Sequence, residues 1–186
     1  EDLAIFGAGT HGVRGRRAAQ LAVMSIVEGK VPGYFVQAIQ ESGELYEHPA
    51  DLEGDWATVT RELADNELAY LIGRSGGTRR KMQVASGCLI TYLGNVAFIS
   101  GTKKQRDRAQ EYIQWLLHQI EDPENREFKV QAQGRKDCTV ISIPGDCAGI
   151  VNGKKREYLS SVEEHWGVLA FFVERDREDW LNLAIF

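Results

Sequence analysis

Gly73 and Gly87 stand fourteen positions apart, and so do Gly153 and Gly167, eighty residues further on. An apolar segment follows each closing glycine directly. With no gap, Met82 then falls on Val162, Leu89 on Leu169 and Tyr92 on Phe172. A repeat held in register is one supersecondary unit used more than once, so whatever explains the first copy has to serve the second. A further kinship joins Leu3-Ala4-Ile5-Phe6, Gly9-Thr10, Arg14 and Arg16 to Val96-Ala97-Phe98-Ile99, Gly101-Thr102, Arg106 and Arg108. The last four residues, Leu183-Ala184-Ile185-Phe186, spell the first of those runs again.

Around Gly73 the apolar periodicity resolves into elements. Residues 57–61 alternate as a strand does, and 65–73 form a short helix with Leu68, Leu71 and Ile72 on one face. Residues 78–86 read as a second helix, 88–93 as a strand, Gly94-Asn95 as a turn, 96–100 as a strand and 103–120 as a long helix. The second copy runs from a strand at 139–143 through helices at 146–152 and 157–166 to a strand at 168–173, and ends on an apolar segment from Trp180. It stops where the long helix of the first copy would begin. Ahead of both, residues 13–28 form an amphipathic helix through Ala18, Leu21, Ala22 and Ile26, while 37–55 and 122–137 are polar, turn-rich and read as linkers, His48 being a surface residue.

Composition narrows the class. An apolar content of 43% is enough for a real core, and no apolar run approaches the length of a membrane span. There is no basic-then-apolar leader. Cys88, Cys138 and Cys147 are odd in number and form no C-x-x-C pair, which suits a reducing compartment, the cytoplasm or the nucleus. Opening at Glu1, the chain reads as an excised part of a longer protein. The net charge of -5 is unevenly spread: residues 1–36 carry +1, 37–61 carry -5, 62–120 carry +3 and 121–186 carry -4. The one clearly positive block therefore holds Gly73-Arg74-Ser75-Gly76 and the basic run Arg79-Arg80-Lys81, and a local positive potential is what phosphate binding needs.

Leu71-Ile72 running into Gly73-Arg74-Ser75-Gly76, then a helix and a strand, resembles the K-homology (KH) family, single-stranded nucleic-acid binders with a G-x-x-G loop. The order strand-helix-helix-strand-strand-helix over 57–120 is that of its eukaryotic type I members. The resemblance implies an α+β protein of tandem KH-like units, β-α-α-β-β-α, with three-stranded antiparallel sheets each packed by three helices. It divides the chain into a closing strand and helix at 1–36, a linker at 37–55, a complete KH domain at 56–121, a linker at 122–137 and a degenerate unit at 138–186. The terminal pieces would complete one another within the chain or by exchange between two copies, giving self-association; truncation of a longer array is the alternative.

By the same resemblance, Gly73, Arg74, Ser75 and Gly76 would hold phosphates, with Arg79, Arg80 and Lys81 adding charge, and Leu71, Ile72, Met82, Ile90 and Tyr92 would line the groove for bases. Arg79 departs from the family, which has an apolar residue there. In the second copy, Gly153, Lys154, Lys155 and Arg156 take the loop position as a secondary site. Arg156 replaces the second glycine, and its side chain would obstruct close backbone approach. The implied partner is single-stranded RNA, or single-stranded DNA, with no catalysis, cofactor or membrane; a protein-binding scaffold of KH-like units is the alternative.

A rival motif is Gly7-Ala8-Gly9-Thr10-His11-Gly12, in which Gly7, Gly9 and Gly12 match a dinucleotide-binding turn after an apolar run and before a helix. A strand at 34–39 would support it, yet such a fold needs further strand-helix crossovers. The four histidines are scattered, and no cysteine stands at metal-ligand spacing. Trp115, Trp166 and Trp180 read as packing residues, with Trp166 sealing the last unit.

Overall fold

The computed structural model describes residues 3–7, 12–47, 54–121, 132, 134–173 and 179–186. They fall into two compact units: 1–70 with 86–111, and 71–85 with 112–186.

In the first unit, β1 (Ala57–Glu62), β2 (Leu89–Leu93) and β3 (Val96–Gly101) form an antiparallel sheet in the order β1-β3-β2. The tight Gly94-Asn95 turn sets the register, pairing Leu93 with Val96 and Leu89 with Ser100. Opposite residues share a face, so Leu89, Leu93, Val96 and Phe98 lie on one side and Ile90, Tyr92, Ala97 and Ile99 on the other. The first face is covered by α1 (Gly12–Lys30) and α2 (Val36–Ser42), through Leu21, Met24, Val36 and Ile39.

Helix α1 runs beside β2. Arg14 donates to the Gly87 carbonyl at 2.6 Å, Ser25 to the Tyr92 carbonyl at 3.2 Å, and Glu28 comes near Gly94. The fourteen steps from Arg14 to Glu28 rise about 21 Å, close to the roughly 23 Å of the seven steps from Gly87 to Gly94, so the helix follows the whole strand. The buried stripe is Gly12, Arg17, Leu21, Met24 and Glu28, while Ala22 and Ile26 face solvent, a rotation from the expected face. Both buried charges have work to do. Arg17 donates to the Leu45 carbonyl at 3.0 Å, and the Glu28 carboxylate accepts the N–H groups of Phe35 and Val36 at 2.8 and 3.3 Å, capping α2.

Two expectations fail here. Residues 36–42 are helical, neither strand nor linker, and residues 3–7 carry no strand, with Leu3 and Phe6 exposed. Helix α1 packs on the first sheet, beside β2. His48, the central residues of the glycine-rich turn and most of 122–137 lie outside the described residues.

In the second unit, β4 (Thr139–Pro144), β5 (Ala170–Val173) and β6 (Trp180–Ile185) repeat the same order, β4-β6-β5, again antiparallel. Helices α6 (Ala148–Asn152) and α7 (Glu157–Trp166) cover one face through Val151 and Leu159 against Ala170, Phe172, Leu183 and Ile185. The opposite face takes the C-terminal half of α5 (Lys103–Glu121): Trp115 lies 4.6 Å from the Phe186 ring and 6.0 Å from Phe171, with Arg135 over Trp115. Trp115 is thus a packing residue as expected. Trp166 is not: it is 71% exposed.

Candidate nucleic-acid interface

Helix α3 (Asp65–Ile72) ends at Gly73, and α4 (Gly77–Ser86) begins four residues later. Gly73 has φ 68° and ψ 177°, a region open almost solely to glycine, and a Cβ there would lie 2.8 Å from Thr78 Cβ and 2.9 Å from its backbone nitrogen. Ser75 follows at φ 51°, ψ 30° and Gly76 at φ 74°. The Gly76 N–H closes the turn on the Gly73 carbonyl at 3.1 Å. This backbone turns Arg74 and Ser75 outward, both exposed, and Arg80 steadies the loop by donating to the Ser75 carbonyl at 2.7 Å. No acidic residue occurs anywhere from 71 to 85.

The second unit holds a near copy. Gly153 has φ 67° and ψ 177°, Lys155 φ 55° and ψ 32°, and the Arg156 N–H reaches the Gly153 carbonyl at 3.2 Å. Arg156 itself adopts φ 65° where the first loop has glycine. Its side chain does not stand in front of the loop, as the sequence suggested. It turns inward and binds the buried Glu163 carboxylate through two donors, at 2.9 and 3.0 Å. Glu163, 1% exposed, also accepts from the Ala170 N–H at 2.9 Å and from Lys81 of α4 at 2.8 Å. One carboxylate thus ties the helix behind the first loop to the last residue of the second.

These contacts sort the expected site residues. Arg74, Ser75, Lys154 and Lys155 are exposed, and Arg80 is exposed beside its own loop. Arg79 is half-buried with its Nε unpartnered among the described residues. Lys81 is largely withdrawn from solvent onto Glu163, and Arg156 pairs with the same carboxylate while staying partly exposed. Of the five apolar positions assigned to bases, Leu71, Met82 and Ile90 are fully buried, Tyr92 nearly so, and Ile72 alone is half-exposed. Leu71, Ile72 and Met82 belong to the second unit, Ile90 and Tyr92 to the first.

Residues 59–115 match the model of the KH domain family. The matched segment includes Gly73–Gly76. Among solved structures, the first KH type I domain of human vigilin aligns at 17% identity with a TM-score of 0.34, covering 44% of this chain and 87% of that one. The a/eIF2alpha–aDim2p–rRNA complex from Pyrococcus horikoshii OT3 aligns at 15% identity and 0.32, over 71% of this chain and 77% of that one. Dim2p from the same organism aligns at 16% and 0.31, over 69% and 80%. A comparison with curated proteins finds no match.

Both sheets are antiparallel, so the parallel crossovers of a dinucleotide fold are missing among the described residues, and no strand leads into Gly7. Gly9 lies outside those residues. Among the described residues no three His, Cys, Asp or Glu side chains group as metal ligands, and no helix is long and apolar enough to cross a membrane. All three cysteines are thiols. Burial pushes the Cys88 thiol up to about 11, against the opposing pull of the Ser86 hydroxyl, Arg106 and Arg14. A cavity of about 430 Å³ beside α2 is floored by Val96 and Phe98 and edged by Glu62, an acidic rim unsuited to phosphate.

Proposed function

We propose that this protein is a non-catalytic binder of single-stranded nucleic acid, RNA foremost, which seats the sugar-phosphate chain on residues 73–76. The supporting observation is the loop itself. Its glycine conformations allow close backbone approach, Arg74 and Ser75 point outward, and Arg74 and Arg80 are exposed cations at the loop. The turn at Gly153–Arg156 has the same backbone and exposes Lys154 and Lys155, which makes it the secondary seat. Single strands are preferred because an A-form duplex hides its base edges.

Titration of single-stranded homopolymers at two salt concentrations tests this, with the wild type and with Arg74→Asp plus Ser75→Asp. The reading expects binding that weakens with salt and is nearly lost in the double variant, which puts negative charge where phosphate sits. Unchanged binding in that variant would remove the clamp from the account.

A further inference from the structure

Helix α7 presents a face that neither loop explains. Its inward side is set by Leu159 and Glu163, both buried. At 3.6 residues per turn, Tyr158, Ser161, Val162, His165 and Trp166 fall within one arc about 140° wide, and Glu157, Glu163 and Glu164 all fall outside it. Tyr158 is 63% exposed and Trp166 71%, with His165 edge-on to Trp166 at 4.8 Å. Exposed Lys154 and Lys155 stand at the head of this stripe. An acid-free aromatic row led by two lysines has the chemistry of a single-strand track, in which cations hold phosphates and rings receive base faces.

We propose that the Tyr158–Trp166 stripe is a stacking platform for the bases of a single strand whose phosphates lie on Lys154 and Lys155. The inference rests on the nucleic-acid reading and extends it from backbone clamping to base contact. From Tyr158 to Trp166 the helix rises about 12 Å, the length of three or four nucleotides at roughly 3.4 Å each. Stacking of this kind tolerates any base, so the stripe confers affinity with little sequence preference. It also explains how bases are met although four of the five apolar positions of the KH segment are buried.

The test labels the tryptophans with 5-fluorotryptophan, assigns the Trp166 signal with Trp166→Phe, and titrates a short oligouridylate while anisotropy reports affinity. The platform predicts that the Trp166 resonance moves on binding and that Trp166→Leu weakens affinity about tenfold, Trp166→Phe less, with an unchanged melting temperature. A still resonance and full affinity in Trp166→Leu, with Arg74→Asp plus Ser75→Asp still abolishing binding, would overturn the platform and leave the loop intact. A stripe covered instead by a partner protein gives that same result. A wild type that binds no oligonucleotide would overturn both.

Discussion

Arg156 holds φ 65° where the first loop has Gly76, a conformation that costs a residue with a Cβ about 1 kcal/mol or more. The two donors it places on Glu163 offset that cost. Glu163 in turn neutralises Lys81, so the carboxylate answers two cations. Removing one partner of a buried ion pair is far more damaging than the pair is stabilising. Glu163→Ala is therefore expected to lower stability by about 3 kcal/mol, near the lower end because Arg156 keeps access to water; urea denaturation measures it. Cys88 supplies a pH signature. Its thiol titrates near 11 in the fold against 9.0 when ordinarily exposed. Below pH 9 both states are protonated and stability is unaffected. Between 9 and 11 the unfolded chain ionises first, so stability falls with rising pH, by at most about 2–3 kcal/mol. Melting curves across that window should show the slope, and Cys88→Ala should flatten it.

At the level of elements, α1 is the piece on which the first sheet depends. Leu21 is fully buried against Leu89, Leu93, Val96 and Phe98. Leu21→Ala is expected to cost about 3 kcal/mol, read as a lowered denaturation midpoint with unchanged slope. The elements from β1 to α5 were legible because period-2 and period-3.6 patterns with glycine punctuation need no distant partner to be recognised. The failures share one cause. Leu183–Ile185 become a strand between β4 and β5, while the same letters at Leu3–Phe6 find no strand to pair with and stay irregular. Strand formation belongs to the pairing and not to the word. Helix α2, seven residues long, is too short to stand alone; it exists because Glu28 caps it and Val96 and Phe98 receive Val36 and Ile39. The site shows the same division. Gly73 and Gly76 announce their loop, whereas the inward turn of Arg156 and Lys81 and the exposure of Trp166 are decided by tertiary contacts.

For the whole molecule, the net charge of -5 is unevenly spread and leaves exposed cations near two loops. On the proposed reading, Lys154→Gln plus Lys155→Gln should reduce the slope of log K against log salt by about 1.4, the share of two single-strand phosphate contacts. Lys81→Gln should leave the slope where it was, since its ammonium answers Glu163. Binding isotherms over a salt series distinguish the two.

The shared carboxylate at Glu163 also dictates an order of events during synthesis. Lys81 and Glu163 are 82 residues apart in the chain, and Val84 rests on Gly167. At roughly 5–20 residues per second, α4 leaves the ribosome some 4–16 s before the helix that neutralises it. Through that interval the nascent chain carries a lysine without its counter-ion, a window in which α4 lacks the partner that holds it in the finished fold.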